Sequence, residues 1–371
     1  MNEFLAPINE MGLPAPIWFL KFFKVLGFIL HLCMMNLWYA GMPLAAILSI
    51  AGKGDTKRIG QRMVMYMPII VALGINFGIV PLLFIQTLHY SLYYPTGILI
   101  AWPWLSVIVL LMFAYYGVYI YTTQVKNDKI TKLGKFSVWV SAVFFILIGF
   151  LFANNFSLMV NKAEWLRIYE QTNVAGAVTG LALNLQDASL IPRWLFMIGL
   201  SMMTTSIYLV LDSVFFAKKE SESYKSSVKK FSVKLYIVGL IWSGITAAWY
   251  IFGTFSRDIL DTIKTDPLIH GLFIVTGLSA LAPLLLMILK KENLTKAAAL
   301  LLAVLQFIVL TFNALSRQWV QDFSIAKIVD IHREPIVIQW SSMIPFLIIF
   351  VIGAAVIFWM LKKIITLKPV K

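Results

Sequence analysis

The chain contains four histidines, His31, His89, His270 and His332, and a single cysteine, Cys33. Imidazole is the usual axial ligand of haem iron, and it can also carry protons near neutral pH. One cysteine excludes a disulfide framework and a cysteine-rich zinc or iron–sulfur centre. Haem is therefore the practical redox group for this residue set. His31 is the first candidate, because it lies inside an apolar stretch, where a ligating residue marks a functional position by default. His89, His270 or a methionine then stands as a second ligand, or the sixth position stays open. Two axial bonds suit an electron relay, and an open position admits oxygen or another small ligand; the sequence leaves both readings standing.

Each histidine also has a structural explanation. His31 could bond a neighbouring helix. His89 stands beside Tyr90, Tyr93 and Tyr94, a pattern of interfacial aromatic belts. His270 follows Pro267 at a helix start, and His332 neighbours Asp330, Arg333 and Glu334, as a solvated loop contact would. Asn36, Asn76, Gln86, Gln306 and Asn313 lie in apolar stretches, where amides join helices. Asp212, close to Lys218 and Lys219, reads as a charge-paired interface residue. Met34, Met35, Met65, Met67, Met202 and Met203 read as packing.

The elements that must position these residues are membrane helices. The 371-residue chain is 60% hydrophobic and 13% charged, against about 25% charged in soluble domains. Soluble enzymes and nucleic-acid binders are excluded. Nine stretches reach the ~20 apolar residues that a span needs: about 22–50, 64–88, 98–123, 136–156, 191–216, 232–254, 268–289, 297–315 and 341–363. The reading is a single all-α transmembrane domain over 1–371, with longer outer loops at 157–190 and 316–340. Glu3 and Glu10, without Lys or Arg before residue 16, speak against a cleaved signal peptide and for an outside N-terminus. Alternation then places 21 of the 31 Lys and Arg inside and 8 outside, with Lys21 and Lys24 at the start of the first span. That is the positive-inside pattern, so the net charge of +14 is a topology signal. The C-terminus falls inside, and all four histidines fall in the outer half. The few polar groups also lie mostly towards outer ends, which weighs against a transporter with a midplane site.

Five segments in order resemble subunit I of the cytochrome bd quinol oxidases. The first span reads His31-Leu-Cys-Met-Met-Asn-Leu-Trp-Tyr-Ala-Gly41, similar to the family's first helix, where a histidine ligates a high-spin haem. Gly74-Ile-Asn-Phe77 in the second span, Ala153-Asn-Asn-Phe156 after the fourth and the approach from Asn184 to Arg193-Trp194 have counterparts there. Ser316-Arg-Gln-Trp319 resembles the family's Gly-Arg-Gln-Pro-Trp motif. The resemblance implies that His31 binds haem iron, of b or d type, and that Arg317, Gln318 and Trp319 stand near the haem, the arginine by its carboxylates. It also implies a second membrane subunit and a place in the cytoplasmic (inner) membrane of a prokaryote.

The departures are specific. The family's low-spin haem ligands fall near Phe196 and Val275, neither of which can bind iron. Its high-spin glutamate falls near Ala314, beside Asn313, and its acidic pair falls on Trp102-Pro103-Trp104. The quinol loop is reduced to about 255–267. The expected role is respiratory electron transfer through a haem near the outer face. The expected redox partner is a c-type cytochrome rather than quinol. Because no Cys-x-x-Cys-His motif occurs, its haem would sit on another chain. The rival readings are oxygen reduction with replaced ligands and a haem-free structural subunit.

Overall fold

The computed structural model describes residues 11–290 and 294–366. Its helices are α1 (Ile17–Ala51), α2 (Asp55–Met65), α3 (Met67–Leu88), α4 (Tyr90–Leu99), α5 (Ala101–Lys126), α6 (Lys132–Met159) and α7 (Lys162–Thr172), followed by α8 (Leu190–Leu211), α9 (Glu222–Thr254), α10 (Arg257–Thr265), α11 (Pro267–Ser279), α12 (Leu281–Leu289), α13 (Lys296–Ala326) and α14 (Trp340–Thr366). A π-helical turn, Asp212–Phe216, continues α8. Among the described residues, nine helical segments are long and apolar enough to cross a bilayer, with α11 and α12 together forming the seventh. The chain is thus an all-α polytopic bundle. Among the described residues the sheet is one antiparallel pair, β1 (Asn173–Val174) and β2 (Ala177–Val178), joined by a turn through Ala175 and Gly176.

We call the side on which α1 begins the proximal face and the other the distal face. Short polar side chains set several helix starts by accepting the otherwise unpaired N–H groups of the first turn. Thr131 caps α6 through Gly134, Ser221 caps α9 through Tyr224, Asp266 caps α11 through Leu268 and Ile269, and Thr295 caps α13 through Ala298.

The bundle is organised around α1 and α8. Helix α1 packs on α3, α8, α6, α2 and α13, and α8 lies along α9. Lipid is as apolar as leucine, so close backbone approach has to drive such contacts. At the α8–α9 crossing, a Cβ on Gly199 would stand 2.8 Å from the Gly239 carbonyl oxygen; only glycine permits that approach. In the interior, Asn36 donates to Thr204 (3.0 Å) and accepts from Ser201 (2.9 Å), while Gln306 donates to Thr204 (3.1 Å). Asn36 and Gln306 therefore join α1, α8 and α13. Asn76 instead bonds its own helix at Ala72, and Gln86 reaches Tyr93.

Three local features differ from the sequence reading. Asp212 is charge-paired, but with Arg62 rather than Lys218 or Lys219, through two bonds of 2.8 Å. The basic stretch 51–63 holds an amphipathic helix, α2, which buries Ile59, Met63 and Val64 and carries Arg62 to Asp212. Residues 316–326, assigned to a loop, continue α13. No proline or glycine interrupts them, and their polar side chains meet partners on α1.

Candidate ligand-binding site at the proximal face

Lys21, Lys24, Phe28 and His31 follow one another at spacings of three and four, so they share one face of α1. Helix α13 runs antiparallel to this face. Lys21 pairs with Asp322 at 3.1 Å, and Lys24 donates to Gln321 at 2.8 Å. One step deeper, the Arg317 guanidinium lies 4.6 Å from the Phe28 ring centre and 6.0 Å from that of Phe156. His31 comes next and turns to α3.

The His31 contact fixes its chemistry. Nδ1 lies 2.8 Å from the Gly74 carbonyl oxygen. A carbonyl only accepts, so Nδ1 carries the hydrogen, and in the neutral ring Nε2 holds the free lone pair. Backbone anchoring of one ring nitrogen is how ligating histidines are commonly oriented. Gly78 leaves the room: a Cβ there would stand 2.7 Å from His31 Nδ1.

The other histidines stand apart from His31. His89 caps the end of α3, eleven residues beyond Gly78 and so about 16 Å further along the helix. It is buried, its Nε2 has no hydrogen-bond partner, and burial followed by the charges of Lys24 and Lys21 pushes its pKa well below the ordinary value. His270 is exposed at the start of α11, with Nδ1 3.1 Å from the Ile263 carbonyl oxygen. His332 is exposed in the segment before α14. Among the described residues, no group of three or more His, Cys, Asp or Glu side chains gathers where it could hold a metal ion.

Arg317, Gln318 and Trp319 diverge around α13. Gln318 donates to Asp322 at 2.8 Å, and Trp319 packs edge-on against Phe273 with ring centres 5.8 Å apart. Arg317 faces a cavity of about 270 Å³ between α8, α9, α11 and α13. A second arginine faces the same space. Arg193 donates from Nη2 to the Tyr250 hydroxyl at 3.1 Å, and its buried Nε has no partner. Among the described residues, no carboxylate pairs with either guanidinium, whereas the distal arginines Arg58 and Arg62 share Glu220 and Asp212. The remaining walls are mostly apolar and include Phe196, Met197, Leu240 and Phe273, with Asn313 deeper on α13. No histidine lines the cavity among the described residues.

Two segments of the resemblance meet near this site. The Asn184 backbone N–H donates to Asn154 Oδ1 at 3.1 Å, and Asn184 Nδ2 donates to Ser157 at 3.0 Å. This ties the segment before α8 to the end of α6. Sequence reasoning missed Arg193 as a site residue, because an arginine at the start of a span is also an ordinary topology charge. Its pairing with Arg317 across the bundle has no signal along the chain. The chain matches no model of a known protein family, and no curated protein matches it.

Proposed function

We propose that this chain is a membrane-integral subunit of a respiratory electron-transfer complex, of the cytochrome bd subunit I type, and that it holds a haem through His31 near the proximal face. The observation that carries this reading is the hydrogen bond from His31 Nδ1 to Gly74, which leaves Nε2 as the basic nitrogen on an immobilised ring. An imidazole held in this way offers iron one axial nitrogen; His89, about 16 Å along α3, is too far to complete the same iron site. A bound haem would supply one-electron exchange. The protein's part is to hold the imidazole in one tautomer and to keep cations nearby, Lys24 two turns earlier on α1 and Arg317 of α13 against Phe28. We place the proximal face outside, in a prokaryotic inner membrane, with a c-type cytochrome docking there and a second membrane subunit alongside.

A haem-free structural subunit is the second reading. It is favoured by Phe196 and by cavity walls on which, among the described residues, no histidine stands. A reduced-minus-oxidised spectrum with a pyridine haemochrome assay separates the two. Stoichiometric haem on the purified chain, lost in His31→Ala, is the expected result. A wild-type chain without a Soret band overturns the haem reading and leaves the scaffold.

A further inference from the structure

The geometry points to the Arg193–Arg317 cavity as a binding site for an anionic acyl-chain amphiphile, its carboxylate or phosphate held by the two guanidinium groups and its chain lying between α9 and α11. This site shares Arg317 with the surroundings of the proposed haem but contains no candidate iron ligand among its described lining residues, so it does not depend on that reading.

The first ground is charge. Lys21, Lys24, Arg193 and Arg317 gather at the proximal end of α1, α8 and α13, and the acid among their contacts, Asp322, is already shared by Lys21 and Gln318. Arg317 has aromatic rings for neighbours, and Arg193 has one phenol and a buried Nε without a partner. Cations in such surroundings call for an anion, and guanidinium groups hold carboxylate or phosphate oxygens in a fixed geometry. The second ground is shape. Below the arginines, α9 contributes Ser243, Gly244 and Ala247, and α11 and the residue after it contribute Thr276, Gly277 and Ala280. These small side chains leave a slot. A Cβ added at Gly244 or at Gly277 meets nothing within 4 Å, and both glycines are exposed. Helices α9 and α11 make no substantial packing contact with each other, so the slot opens sideways, where acyl chains lie. The third ground is the lining itself. Phe196, Leu240, Ile251 and Phe273 suit a hydrocarbon chain, and among the described residues no histidine lines the cavity to fix a metal-bearing ring.

The test uses the full chain, purified with its co-purifying partners. It is labelled with three photoactivatable probes carrying a diazirine on a C16 chain: palmitate, phosphatidylglycerol and the uncharged hexadecanol. Peptide mapping should place labels from an anionic probe on 240–251 and 273–280. Palmitate labelling alone identifies a free acid as the occupant, and phosphatidylglycerol labelling identifies a bilayer lipid. In Arg193→Gln/Arg317→Gln, labelling should fall by about tenfold, the equivalent of one charge-assisted pair. Gly244→Leu, which keeps both arginines and has room for its side chain, should block labelling while thermal stability in detergent is retained. Equal labelling by hexadecanol, or labelling unchanged by both variants, overturns the proposal. So does loss of haem in the double arginine variant without any change in lipid labelling, since the arginines would then serve haem carboxylates. Haem lost in His31→Ala with lipid labelling intact separates this site from the haem reading.

Discussion

His89 is buried at the end of α3 with Lys21 and Lys24 as its charged neighbours, so the proton it would gain in water is disfavoured in the fold. Below its unfolded pKa of about 6.5 the unfolded chain binds a proton that the folded chain does not, so stability falls as pH drops. The expected slope reaches about 1.4 kcal/mol per pH unit below pH ~6. Thermal unfolding of wild type and His89→Gln in detergent between pH 7 and pH 5 checks it: the variant should lose most of the pH dependence. A wild-type curve that is flat over this range would mean that His89 takes up its proton in the folded protein. The place of His31 within the first span was legible in the sequence because a histidine in an apolar run is conspicuous. Its anchor was not, because Gly74 lies 43 residues away and offers only a backbone carbonyl. Arg193 was visible as a charge, but its lack of an anion is a property of four helices together.

At the scale of the element, the distal face is held by α2. Its Arg62 is 7% exposed, forms a bidentate pair with Asp212 at the π turn after α8 and reaches Glu220 at 3.2 Å, while Arg58 also binds Glu220. Removing one member of a buried pair strands the other charge and costs about 3–5 kcal/mol, whereas removing both together costs much less. Asp212→Asn should lower the melting temperature strongly, and Arg62→Leu/Asp212→Leu should recover most of the loss. Equal destabilisation by the single and double variants would locate the damage in the π turn rather than in the charge. Helix α2 shows why a basic stretch is hard to read. Positive charge marks the loop, and the apolar positions Ile59, Met63 and Val64 span barely two turns. The extension of α13 through Ala326 was hidden for the opposite reason. Its last turns are polar because Lys21 and Lys24 supply partners from α1, not because the helix has ended.

For the whole molecule, the spans were readable because bilayer thickness fixes helix length, and the structure has the nine expected among its described residues. Which helices touch was not readable, since an apolar residue facing lipid and one facing a neighbour look alike. Helix α14 illustrates this. It is as apolar as any span, yet the segment Trp340–Met360 has no fully buried residue and meets α1 and α3 through Met343, Phe346 and Phe350. The orientation we propose rests on the alternation of the spans, which assigns 21 of the 31 basic residues to the inner side. Reporter fusions within 217–231 should read as cytoplasmic. A periplasmic readout would invert the bundle and move the His31 region to the cytoplasmic side.

The Arg62–Asp212 bond also has a consequence in time. Its two ends are 150 residues apart, so at roughly 5–20 residues per second the carboxylate leaves the ribosome about 8–30 s after the guanidinium. In the orientation we propose, α2 lies throughout that interval at the cytoplasmic leaflet of the nascent bundle with its arginines unneutralised, where anionic lipid headgroups are the available counter-charge. Arrival of the fifth span then exchanges lipid for protein at Arg62, so a membrane depleted of anionic lipid should slow the chain's assembly before it weakens the finished fold.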